Sequence, residues 1–129
     1  MLDDFLERMA ATPFVDGATD CVLTPAAWVV ANGWPDPAAD LRGRYRTPLG
    51  RERLLKRLGG IEQVVSHRMS AAGLVKTERA LRGDVGLVAL HGLIFGAIFL
   101  GERWAIQSKA GLYSASPDRV VKAWSVSHG

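Results

Sequence analysis

The only cysteine of the chain, Cys21, stands in the stretch GATDCVLTPAAWVVANG (17–33), behind the acid Asp20 and ahead of a helical run. A thiol in that position can serve as a nucleophile. The positive end of a helix lowers its pKa, and an imidazole within hydrogen-bond reach takes its proton. The same thiol can also be a small apolar side chain in a core. Histidine decides between the two, and the chain has three: His67, His91 and His128. His91 precedes Gly92 between two apolar runs, where a turn is expected; His67 falls in a helical stretch, and His128 lies beside the last residue. A single cysteine excludes an internal disulfide and a multi-cysteine zinc site. No His, Asp or Glu cluster has metal-ligand spacing, and no glycine loop joins a strand to a helix as phosphate binding requires. Neither a metal nor a cofactor is expected.

A second candidate chemistry is electrostatic. Between Leu41 and Leu58 lie Arg42, Arg44, Arg46, Arg51, Arg53, Lys56 and Arg57 against the single acid Glu52, a local charge of +6 within a chain of net +3. A stripe of this kind can bind phosphates or an acidic partner, or it can be a solvated helix face and loop. Within it, RGRYR sets arginines around Tyr45, which suits nucleic acid or an acidic protein groove. An internal alternative is that Arg42 or Arg44 pins the loop to the chain's own acids, such as Asp20 or Asp40. Trp34, beside prolines at the head of the same loop, is the tryptophan best placed for contact, whereas Trp28 sits in an apolar helical run.

These residues need elements to hold them. Leu2, Phe5, Leu6 and Met9 recur at helical spacing, which predicts a helix over 2–11. The second helix can start in two ways. Thr24-Pro25 can be an N-cap with proline at the first position, or Asp20 can be the cap with Pro25 inside the helix. Asn32-Gly33 ends it. Residues 34–50 carry three prolines and no period, and read as an ordered loop. Leu54, Leu55 and Leu58 mark a third helix, and Ile61, Val64, Val65 and Met69 a fourth. From Leu74 the pattern changes to strands: LVKTERA, VGLVAL, LIFGAIFLG, RWAIQS, GLYS and RVVKAWSV, with His91-Gly92 as a hairpin turn. RGD (82–84) leads directly into a strand and is expected to be a turn. Helices over about 1–72 followed by an antiparallel sheet over about 74–126 make one α+β domain over residues 1–129.

Hydrophobic content of 48% and charged content of 22% are those of a globular chain. The apolar stretch 85–101 falls short of the ~20 residues that span a bilayer. No membrane span and no signal peptide are expected, and synthesis is expected in a cytoplasm.

Four motifs together resemble the NlpC-type papain-like cysteine peptidases of bacterial cell walls and phage tails. TDCVLTPAAWVV resembles the cysteine helix, RGDVGLV (82–88) the strand that opens the sheet, FGAIFLG (95–101) the histidine strand, and AIQS (105–108) the strand with a third polar residue. The resemblance implies a papain-like fold with Cys21 near the face of the sheet. It also puts Phe95 where the catalytic histidine would stand and Gln107 at the place of the third polar residue. Phe95 cannot take a proton, so catalysis by Cys21 would require His91, four residues earlier, with Gln107 orienting it. A degenerate peptidase is the expectation. PFVDGATDC (13–21), DLRGRYR (40–46), RLGG (57–60), RGDVGLV and VVKAWSV (120–126) further resemble a small family encoded in phage and prophage tail gene clusters. That resemblance implies a virion tail component of the tail-tip region, made in a host bacterium's cytoplasm, with other tail proteins as partners. Arg42, Arg44, Tyr45, Arg46 and Trp34 would then form a protein interface. The alternatives are a cysteine peptidase or amidase acting on peptidoglycan during DNA entry and, more weakly, a nucleic-acid-binding module.

Overall fold

The change of period near Leu74 divides the molecule. A computed structural model, which describes residues 1–127, places helices α1 (Leu2–Ala10), α2 (Leu23–Ala31), α3 (Pro48–Arg57) and α4 (Ile61–Ala71) before the strands. Strands β1 (Val75–Lys76), β2 (Val85–Leu90), β3 (Leu93–Phe99), β4 (Trp104–Ser108), β5 (Gly111–Ala115) and β6 (Arg119–Ser125) follow. They form one sheet in the order β1-β6-β2-β3-β4-β5, antiparallel throughout. The architecture is α+β, as the pattern predicts. His128 lies outside the described residues.

Two Thr-Pro pairs show how helix starts are chosen. Thr47 has extended backbone and accepts the Gly50 N–H on its hydroxyl, with Pro48 as the first helical residue, so α3 starts inside the segment expected to be loop. Thr24-Pro25 has the same composition but lies within α2, because Asp20 caps earlier. Its Oδ1 accepts from the N–H groups of Val22 and Leu23, and its carbonyl from Thr24. Pro25 has no N–H to return to the carbonyl of Cys21, four residues back. That carbonyl lies instead against Gly96 of β3.

His91 and Gly92 join β2 to β3 as a two-residue turn with φ of 53° and 78°, the left-handed pair that a tight hairpin demands. The first strand is much shorter than LVKTERA suggests. The Thr77 N–H still reaches the Ala123 carbonyl of β6, but its hydroxyl binds the Arg79 backbone in both directions, which turns the chain off the sheet after Thr77. RGD is a turn: Gly83 has φ +97°, and the Asp84 carboxylate, buried, accepts from Leu81 and Val126 N–H. Trp28 is core, packed on Phe5 with ring centroids 5.1 Å apart and donating to the Gly83 carbonyl.

Candidate functional site

Cys21 sits at the start of α2, over β3. It is 8% exposed and forms one wall of a cleft of about 520 Å³, whose other lining includes Arg51, Leu55, Lys56, Ile61 and Phe95. Burial pushes the thiol pKa up. The Arg51 guanidinium opposes the rise, the Asp20 carboxylate adds to it, and the Gly96 and Cys21 N–H groups oppose it. A raised pKa leaves the sulfur protonated at neutral pH, the reverse of what a nucleophile needs.

Among the described residues, no imidazole lines the cleft. Phe95 is among the residues lining the cleft, so the position the resemblance assigns to a base holds a side chain that cannot take a proton. His91 is exposed at the hairpin turn, where its backbone N–H donates to the Asp118 carboxylate, and it is not among the residues lining the cleft. His67 lines a separate hollow with Arg68 and Pro35. Gln107 is 3% exposed on β4, with its Oε1 unpartnered, and the Thr24 hydroxyl on α2 is likewise buried and unpartnered. The β3–β4 register, Ile98 to Ala105 and Phe99 to Trp104, is one in which Gly96 and Gln107 come level. The structure therefore brings Cys21 and the Gln107 strand to the same part of the sheet and leaves His91 out.

With the sulfur buried and protonated, iodoacetamide should label folded Cys21 slowly at about pH 7. The rate should rise only as the solution passes the ordinary thiol range of about 8.5, and unfolding in denaturant should remove the lag. Fast labelling of the folded chain near pH 6 would mean a thiolate that the geometry does not provide.

The basic segment differs from its expectation in two places. Tyr45 is no surface contact: it is 5% exposed, and its hydroxyl donates to Asp20 Oδ2 at 2.7 Å. Burial raises the phenol pKa, and the hydrogen bond to Asp20 raises it further. Trp34 is half-buried against Gly73, and its indole N–H donates to the Val126 carbonyl, so the ring ties the loop to the end of β6. Proximity of the two segments in space, which a sequence does not display, accounts for both corrections. Arg42 binds Asp36 through Nε at 2.8 Å, so the internal alternative holds for it, though with Asp36 as the acid rather than Asp20 or Asp40. The Asp40 carboxylate is taken by Arg68, which holds its pKa below the usual range, and Arg44 reaches only the Asp40 carbonyl at 3.4 Å. Arg44 and Arg46 are exposed.

The residues that sequence reasoning missed are Arg51 and Lys56, which it placed only in a charged stripe, and the backbone of Ile94. Arg51 pairs with Asp16, so the DG turn before Cys21 is fastened to α3. Helical spacing does put Arg51 one turn before Leu55 and Lys56 one turn after Glu52, a signal that could have been used.

Fold and site together define an α+β domain with a capped, buried cysteine set over an antiparallel sheet and an open, partly basic cleft beside it. The chain belongs to the DUF6950 family, a domain of unknown function, whose model matches residues 1–126. No curated protein and no solved structure matches it.

Proposed function

We propose that the chain is a docking component of a phage-like tail, in the tail-tip region of the virion, built on a papain-like fold of NlpC type that has lost its chemistry. The observation that carries the non-catalytic part is the Cys21 environment: a buried sulfur, its pKa raised by burial, in a cleft that Phe95 lines and His91 does not. The tail assignment is supported by the motif resemblance. PFVDGATDC and DLRGRYR, which carry much of it, pack on each other through Gly43 N–H to the Gly17 carbonyl and Tyr45 to Asp20. The partners are other tail proteins, reached through surface that includes Arg44 and Arg46.

Mass spectrometry of purified particles from a host carrying the gene should find the protein. Arg44→Ala/Arg46→Ala should melt within about 1 kcal/mol of the parent, since exposed charges contribute little to stability, while its incorporation falls. Normal incorporation of that variant, or particles that lack the protein, would refute the contact or the assignment respectively. One observation favours a second reading, a cysteine peptidase or amidase on peptidoglycan: the cysteine does line a cleft. Under the docking reading Cys21→Ser incorporates normally and the parent releases no peptide from peptidoglycan. Turnover abolished by Cys21→Ser would select the enzyme.

A further inference from the structure

One outward-facing backbone position of β3, Ile94, lies beyond the β3–β4 ladder and opens into the cleft. In an antiparallel pair, alternate residues direct both backbone groups at one neighbour, and the residues between them direct theirs at the other. Phe99 donates to the Asp84 carbonyl and accepts from Gly83, so the odd-numbered residues of β3 bond toward β2. A two-residue hairpin closed by Leu90 and Leu93 gives the same phase. The even-numbered residues therefore face away from β2, as the Leu100 N–H does in donating to Arg103 beside β4. The β3–β4 ladder, however, holds only Ile98 and Phe99. Of the remaining even positions, Gly96 lies under the Cys21 carbonyl, and Ile94 lines the cleft.

We infer that this cleft takes an extended peptide segment of another protein, added as a strand along β3 at Ile94, with a carboxylate of that segment held by Lys56. Backbone pairing at an open strand edge gives affinity with little demand on sequence, and side pockets give selectivity. The side walls suit alternating apolar residues: Leu93, 61% exposed, lies on the rim, with Phe95, Leu55 and Ile61 within. The charge suits an acid. Lys56 lines the cleft, exposed and in no ion pair among the described residues, whereas Arg51 is already held by Asp16. Glu52 also lines the cleft, but α3 carries four cations against this one acid. This inference is independent of the tail assignment, because it concerns the purified chain and one peptide.

The probe is a fluorescein-labelled octapeptide, Thr-Val-Thr-Val-Thr-Val-Asp-Glu with a free C-terminus, titrated against the full chain by polarisation. Binding in the range of about 10–100 µM is expected for one added strand. Methylating alternate peptide nitrogens in the phase that pairs with Ile94 should weaken it about five- to tenfold, and methylating the other phase should not. Ile94→Pro removes an outward N–H without touching the β2 ladder and should have the same effect. Lys56→Glu should cost about threefold or more and reduce the salt dependence of binding. Failure to bind at about 1 mM, equal loss for both methylation phases, or binding unchanged by Lys56→Glu would each overturn the proposal. So would a concentration-dependent dimer in sedimentation that Ile94→Pro abolishes, since a second copy would then own the edge. The peptide series keeps the test decisive if Ile94→Pro fails to fold.

Discussion

Gly96→Val should destabilise the fold by about 3 kcal/mol or more and lower the melting temperature by roughly 10 °C. A Cβ at this position runs into the Cys21 carbonyl oxygen and comes within 3.4 Å of the Pro25 ring. Neither neighbour can yield. The carbonyl is main chain, fixed by the turn that Asp20 caps, and the proline ring is held in α2. A side chain on Gly96 must therefore lift the start of α2 from β3. The thiol reports on that motion independently of stability. In Gly96→Ala, where some native packing survives, iodoacetamide should reach Cys21 faster than in the parent under conditions where both are folded. A parent-like melting curve for Gly96→Val would mean that α2 does not rest on β3 at this point. A Cβ added at Gly86 would come within 2.7 Å of the Lys122 carbonyl, farther than the Gly96 clash, and 3.0 Å from the Trp104 ring, which can turn, so a smaller loss is expected there.

How much of this was legible in the sequence depends on the range of the signal. Periodicity gave the helices and the strands, and His91-Gly92 gave the hairpin, because those signals are local. The start of α3 was in the sequence as Thr47-Pro48, yet the prolines around it read as loop. Thr24-Pro25 offered the same signal and was overruled by Asp20, whose carboxylate sits nearer the turn it caps. The site was legible in part. Phe95 does line the cleft beside Cys21, at the position the motif resemblance marks for a base. The fate of Tyr45 and Trp34 was not legible. Both have partners far along the chain, Asp20 and Val126, and composition beside a proline-rich loop cannot distinguish a ring that faces solvent from one that pins the loop. The open edge at Ile94 was beyond reach for another reason: it depends on where the β3–β4 ladder stops, which apolar content in LIFGAIFLG does not encode.

The Asp20 carboxylate should be the most costly polar group in the molecule to remove. It is fully buried, and its two oxygens accept four hydrogen bonds: Val22 and Leu23 N–H on Oδ1, Gly17 N–H and the Tyr45 hydroxyl on Oδ2. Asp20→Ala strands all four donors away from water, and a loss of about 3–5 kcal/mol is expected by chemical denaturation. Asp20→Asn is no rescue, since an amide turns an N–H toward donors that need an acceptor. Tyr45→Phe removes one donor and leaves three, and should cost about 1.5–3 kcal/mol, the range of a hydrogen bond to a charged group. The two changes share an interaction, so the double variant should lose about 1–2 kcal/mol less than the sum of the single losses. An additive cycle would show that the phenol bond contributes nothing beyond packing. The loss should also be regional. Asp20 and Tyr45 join the segment before α2 to the loop before α3, and Arg51 with Asp16 joins the same segment to α3 itself. Amide exchange in Tyr45→Phe should therefore rise first over residues 13–22 and 41–50 while β2 and β3 stay protected, because the sheet draws its hydrogen bonds from elsewhere. Equal acceleration across β2 and β3 would instead make the clamp part of a single cooperative unit. The residues of PFVDGATDC and DLRGRYR would then be there to hold the whole fold rather than to shape the cleft wall beside Cys21.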